Sequence, residues 1–392
     1  PGPWSPSGDR IVVHRLRDDQ WRSGVVNASS RAVRWFDVGA EPATRGETVI
    51  WRDDRTVLMI VRADGGMPYD FAGLADGMSG SASRWRAARD GKEASALVWG
   101  SGRRAPMQAY GAATHLLRLD VETGEATRVM EGRALDMALA PDRRWLAVLD
   151  RGPPYAVDQN RPFLASEIPE ERRLTLINLD SGEIWTPCAG CDIAQGLLNW
   201  SADGRLLVWK RDRSAGPVDG ALLVVDPVRG VSEAVTLGGL EPEAGATRDT
   251  SFETVRADWF DGAPVVLARR PGDTRADWYR LDDAGPRVLT SGLASPPGRI
   301  ESIGRDALLV LAGGAAFEVD AEGGTRRLGR RSDLSSVSAS TIWDPPRRRL
   351  NTRARRDALI VRSAAGGLLT LDAGSDRETV LATDPGTLLA VS

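Results

Sequence analysis

The apolar residues of this chain fall in short runs rather than long stripes. Ile11-Val12-Val13, Val57 to Val61, Trp145 to Leu149 and Leu206 to Trp209 are each bounded by turn residues. Runs of that length between clusters of Gly, Pro, Asp and Ser predict strands, not helices. One mark recurs ahead of them: an apolar residue, often Trp, then a tight turn, then the run. It is clearest in Trp4-Ser-Pro-Ser-Gly8, Leu139-Ala-Pro-Asp-Arg143 and Trp200-Ser-Ala-Asp-Gly204, with weaker copies at Trp51, Trp259, Ile303 and Trp343. After a second turn each unit predicts a strand that ends in Asp before a Gly-containing turn, at Asp37, Asp120, Asp180, Asp226, Asp282, Asp320 and Asp372. The two series alternate without exception, which gives seven units.

A unit of three or four short antiparallel strands cannot bury both faces of its sheet alone, and radial stacking of like units solves the problem. The predicted fold is therefore all-β: a seven-bladed β-propeller of four-stranded antiparallel blades over residues 1–384, with loop insertions at about 66–107 and 152–171. Within the first insertion Ser83 to Asp90 predicts a short helix. Long loops on such a scaffold are where binding residues usually sit. The Asp and Gly of the turns have a local explanation, because Asp bonds its own backbone across a turn and Gly takes the positive φ the turn demands.

Composition narrows the function. With 42 Gly and 23 Pro the 392 residues are turn-rich, and 51 basic against 54 acidic residues leave a net charge of -3. That balance offers no general attraction to nucleic acid or to an anionic membrane. No apolar run approaches the roughly 18 residues needed to span a bilayer; the longest, Ala307 to Phe317, is broken by Gly313-Gly314. Only Lys92 and Lys210 are lysines, a bias toward Arg that suggests a bacterial source, while cytoplasm and periplasm both stay open.

Candidate chemistry is sparse. Nucleophilic hydrolysis needs a base, and the two histidines, His14 and His115, both fall in predicted strands. The nearest approach to a G-x-S-x-G elbow, Gly77-Met-Ser79-Gly-Ser81, lacks the final Gly. No catalytic residue, metal site or cofactor site is predicted. Cys188-Ala-Gly-Cys191 is either a turn closed by a disulfide or a redox pair; the redox motif expects a helix after it, and strand-like Ile193 to Trp200 follows. Gly100-Ser-Gly102 imitates a dinucleotide loop, but Pro106 and the lack of a following helix remove the context. The Arg cluster from Arg347 to Arg356 reads as a solvated hairpin. Glu167, Glu170 and Glu171, in the second insertion, are candidates to hold the amino terminus of a peptide.

The pattern W-S-x-D-G-R-x-L with L-x-L-x-D-x-x-[ST]-G-E, carried by Trp200 to Trp209, Leu139 to Asp150, Leu116 to Glu125 and Leu174 to Glu183, is similar to two groups. One is the TolB-like translocation propellers; the other is the propeller of prolyl oligopeptidase family serine peptidases. The seventh unit ends near Asp384, where the linker of the peptidase family would begin, so 385–392 resembles the start of that linker. The C-x-x-C ahead of a blade strand also resembles the lasso peptide isopeptidases of that family. The resemblance implies a noncatalytic propeller that gates access and positions peptide substrate for an α/β-hydrolase domain of the same protein, outside this chain. The alternative is a freestanding TolB-like or WD-repeat-like propeller serving as an interaction scaffold. A tryptophan-docking turn of quinoprotein type, Asp180-Ser-Gly-Glu-Ile-Trp185, occurs once where that family repeats it, and implies nothing further.

Overall fold

The computed structural model describes residues 2–17, 20–42, 46–68, 81–92, 113–154, 170–212, 219–243, 255–304, 306–336, 358–373, 375 and 377–383. Among them the strands form seven antiparallel sheets, each built from strands consecutive in sequence. The first holds β1 (Arg10–Arg17), β2 (Gln20–Asn27) and β3 (Val33–Trp35), its first position reduced to a bridge between Trp4 and Ile11. The second holds β4 (Val49–Trp51), β5 (Thr56–Arg62), β6 (Thr114–Asp120) and β7 (Ala126–Gly132). The third holds β8 (Ala134–Leu139), β9 (Trp145–Pro154), β10 (Glu170–Asn178) and β11 (Ile184–Trp185). The fourth holds β12 (Asp192–Trp200), β13 (Leu206–Arg211), β14 (Gly220–Asp226) and β15 (Val231–Ala234).

In the fifth sheet the first position is split: β16 (Glu241–Pro242) and β17 (Ala257–Phe260) both pair with β18 (Ala263–Arg269), followed by β19 (Asp277–Asp282) and β20 (Gly285–Val288). The sixth holds β21 (Ile300–Ile303), β22 (Leu308–Ala312), β23 (Ala315–Val319) and β24 (Thr325–Leu328). The seventh holds β25 (Leu334–Ser336), β26 (Ala358–Ser363), β27 (Leu368–Asp372) and β28 (Glu378–Ala382). The mark at Trp343 lies outside the described residues. A helix, α1 (Ser81–Arg89), stands in the first insertion, where Trp85 is exposed.

The apolar runs explain themselves through register. Along β22, Leu308 and Val310 enter one core with Val265, Leu267 and Trp278, while the intervening Leu309 enters another with Leu359, Val361 and Leu369. Along β18, Val265 and Leu267 face the sixth sheet, and Val266 and Ala268 face Leu207, Trp209 and Leu222 of the fourth. A strand whose alternate side chains feed two cores must be apolar at both parities, so these second strands read as continuous runs. The outer strands, with one edge free, are exposed: β7, β24 and β28 carry mostly exposed residues, Val380 and Leu381 of β28 among them. At Gly313-Gly314 both φ values are positive (56° and 79°), the twist that a two-residue hairpin between β22 and β23 requires.

The chain divides into two compact units. The first, Pro1–Ala43, Thr48–Leu135 and Asp150–Glu171, is centred on Val12, Val25 and Phe36 packed with Trp51, Val57, Met59 and Leu119. The second, Thr44–Glu47, Asp136–Leu149 and Arg172–Ser392, holds the remaining three clusters just described.

Candidate functional site

Within each sheet the strand order defines two chemically different edges. The turn edge carries the hairpins between first and second and between third and fourth strands. The link edge carries the connections between second and third strands and those from one sheet to the next. Both predicted insertions leave from the link edge of their own sheets, between β5 and β6 and between β9 and β10.

The turn edge is structural. Every third strand there ends in Asp or Asn: Asn27, Asp120, Asn178, Asp226, Asp282, Asp320 and Asp372. The Asp120 carboxylate accepts from the Glu122 and Thr123 amides at 2.8 and 2.9 Å, and Asp226 and Asp320 repeat the arrangement. In the first and third sheets Asn27 and Asn178 take this role, so the expected Asp37 and Asp180 are displaced from it. Asp37 instead pairs with Arg22 at 2.9 Å. The hydrogen bond and charge of Arg55, helped by these turn amides, draw the Asp120 carboxyl down to about 2.

The recurring Trp also has a structural role. Trp51, Trp200 and Trp259 each donate their indole N–H to a carbonyl of the preceding sheet, those of Pro3, Ala138 and Asn199, at 2.9 to 3.0 Å. In each case the acceptor directly precedes the corresponding mark, Trp4, Leu139 or Trp200. In the fourth sheet the rest of the motif completes the joint. Ser201 caps the turn by accepting from the Arg205 amide at 2.8 Å, Gly204 supplies φ of 87°, and Asp203 orients Arg205. Arg205 then donates to the Gly262 carbonyl at 2.8 Å and lies over the Trp259 ring.

The link edge concentrates buried charge. Glu170, at the start of β10, is about 1% exposed and pairs with Arg133 at 3.1 Å and Arg151 at 3.3 Å. Asp192, at the start of β12, accepts from Arg211 at 2.6 Å and from the Arg172 amide at 2.9 Å. Asp277, opening β19, receives both nitrogens of the Arg275 fork and the Thr290 hydroxyl. Glu301 in β21 pairs with Arg299 at 2.8 Å and accepts from Ser336 at 2.7 Å. Arg275 is pushed above the usual guanidinium range by its bond to Asp277. Charges removed from water in this way cost desolvation energy, and they persist because each is paired and hydrogen-bonded. They fix the geometry of the strands they open.

The sequence candidates distribute unevenly over this edge. Glu167 lies outside the described residues. Glu170 is occupied by its two arginines, and Glu171 beside it is half-buried. Cys188 and Cys191 are joined in a disulfide, with Cα atoms 5.5 Å apart, in the turn between β11 and β12. His14 and His115 stand in β1 and β6 as expected. The His14 Nδ1 is 2.9 Å from Ser23 Oγ and its ring stacks on Trp21, but Ser23 is fully buried and accepts the Ala40 amide, which keeps this Ser–His contact from substrate. Among the described residues no group of three or more His, Cys, Asp or Glu is placed to hold a metal ion. The Arg347 to Arg356 cluster and the Gly100 loop lie outside the described residues. No described helix is long and apolar enough to cross a membrane.

Sequence reasoning passed over Asp192, Asp277, Glu301 and their arginines. A signal was present in the repeated spacing of Arg275-Ala-Asp277 and Arg299-Ile-Glu301, an arginine two residues before an acid at the start of a strand.

No family model and no curated protein matches this chain. Solved structures do. Porphyromonas gingivalis dipeptidyl peptidase 4 matches with a TM-score of 0.51 at 12% identity, over 98% of this chain and 52% of that one. Pyrococcus horikoshii acylaminoacyl peptidase matches with a TM-score of 0.42 at 14% identity, over 84% of this chain and 44% of that one. TolB from Acinetobacter baumannii gives 0.33 at 12% identity, over 95% and 80%. The chain thus spans about half the length of the two peptidases it resembles. The fold is a seven-bladed β-propeller of antiparallel blades, each sheet being one blade, and it is the fold of the propeller domains in such peptidases.

Proposed function

We propose that this chain is the noncatalytic propeller of a prolyl oligopeptidase-type serine peptidase, which restricts and positions peptide substrate for an α/β-hydrolase domain encoded beyond it. The observation that carries this reading is the polarity of the blades: both insertions leave from the link edge, and the second returns directly into the acidic pair Glu170-Glu171. With Glu170 held by its two arginines, the half-buried carboxylate of Glu171 at the base of the loop suits a peptide amino terminus, which is cationic below its ordinary pKa of about 8. In this reading Glu170 anchors the strand through Arg133 and Arg151, while Glu171 binds the amine, with Glu167 as a further candidate. The propeller contributes exclusion and orientation, and the bond chemistry belongs to the partner domain.

The gene downstream of Ser392 tests the proposal. A strand, a G-x-S-x-G elbow and then Asp and His within roughly 250 to 300 residues are expected. An immediate stop codon defeats this reading and favours a freestanding interaction propeller.

A further inference from the structure

The two cysteines of this chain lie in one turn, and the strand they introduce is built in two separable parts. In β12, Asp192 and Ile193 pair with Arg211 and Lys210, and Leu198 to Trp200 pair with Val208 to Leu206, but the register shifts between Ile193 and Leu198. Gly196, inside that irregular stretch, has φ of 91°. The start of β12 is held by two ladder positions, by the ion pair of Asp192 with Arg211, by the buried side chain of Ile193, and by the disulfide next door. It can loosen without unzipping Leu198 to Trp200, because local opening follows such weak points in a hydrogen-bonded ladder. Asp192 is also the acceptor for the Arg172 amide, so the same residue ties down the start of β10 just after Glu171.

Access is asymmetric. Cys191 is buried, whereas Cys188 is half-exposed and Ala189 and Gly190 are exposed. An external thiolate can approach Cys188 Sγ, leaving Cys191 Sγ as the departing thiolate.

We propose that Cys188–Cys191 is a reversible redox clamp that sets whether Asp192 stays docked on Arg211 and on the Arg172 backbone. The proposal is independent of the peptidase reading. In the reducing direction the thiolate of a dithiol attacks Cys188 Sγ and breaks the S–S bond. Its second thiolate then resolves the mixed disulfide. The dithiol is oxidised to its cyclic disulfide by two electrons, and the protein gains two thiols.

The test is amide hydrogen exchange on the whole chain, before and after dithiothreitol in native buffer, and again after reoxidation with oxidised glutathione. Reduction is expected to release two titratable thiols and to speed exchange of the Arg172 and Ile193 amides at least tenfold. Leu207 and Val208 should remain protected, and glutathione should restore the slow rates. Cys188→Ser should show the fast rates from the start with no response to dithiothreitol. Three results would each overturn the clamp: thiols released only in denaturant, equal exchange in the two redox forms, or loss of protection throughout β13 on reduction, which would make the bond a global staple.

Discussion

Trp200, Asn178 and Asp120 show how much single side chains carry in this repeat. The Trp of the motif is a joint between neighbouring blades, and replacing it by Phe removes the N–H donor together with part of the ring. Trp200→Phe is expected to leave the Ala138 carbonyl without its donor and to cost about 1 to 2 kcal/mol, read as a lower urea midpoint at unchanged slope. At the third-strand turns the chemistry is an acceptor oxygen, which Asp and Asn share. Asn178→Asp should therefore be nearly neutral, Asn178→Ala should cost about 1 kcal/mol, and Asp180→Ala should cost less than Asn178→Ala; chemical denaturation of the three variants checks the order. Reading only Asp along the sequence placed the turn two residues late in the third blade and ten late in the first, because Asn offers the same oxygen without the charge. Charge matters separately at Asp120. Its folded carboxyl is drawn down to about 2, below the ordinary aspartate value of about 4, so the stabilisation from Arg55 is fully present above about pH 4 and is lost as pH falls toward 2. Asp120→Asn keeps the turn and removes the charge, so the stability gap between wild type and variant should close across that window in acid-titrated melts.

Strands were legible and their edges were not. Alternation and turn residues located the second and third strands of the second, fourth and fifth blades to within a few residues, because turn chemistry and apolar runs are local properties. The sequence also indicated the hairpin from Trp200 to Leu206 and the strand from Ile193 onward, both of which the structure contains. Which charges sit buried at the strand starts was not read, since pairing partners such as Arg133 and Glu170 lie 37 residues apart in the chain. That pairing makes a definite prediction at the level of the strand. Glu170→Gln would leave two partly buried guanidinium groups facing a neutral amide and is expected to cost about 3 kcal/mol. A midpoint shift in guanidinium chloride checks the magnitude, and faster amide exchange at the start of β10 checks the place.

For the molecule as a whole, the decisive feature is that neighbouring sheets share cores while no described sheet borrows a strand from a distant part of the chain. Leu309→Ala opens a cavity in the core that includes Leu359 and Val361 and should cost about 3 kcal/mol, with amide protection falling in β26 and β27. Leu308→Ala, one residue away, should instead weaken β18 and β19, and exchange rates in the two variants separate the cores. The sequence by itself determined the all-β class and the seven units, because a strand's period and a turn's φ requirements are set within a few residues. Tertiary structure alone decided that Trp marks are joints between blades, that alternate residues of one strand feed different cores, and that buried ion pairs gather at the edge from which both insertions leave. Those are relations between residues far apart in the chain, and only the stacking of sheets brings such residues within the few ångströms over which hydrogen bonds and ion pairs act.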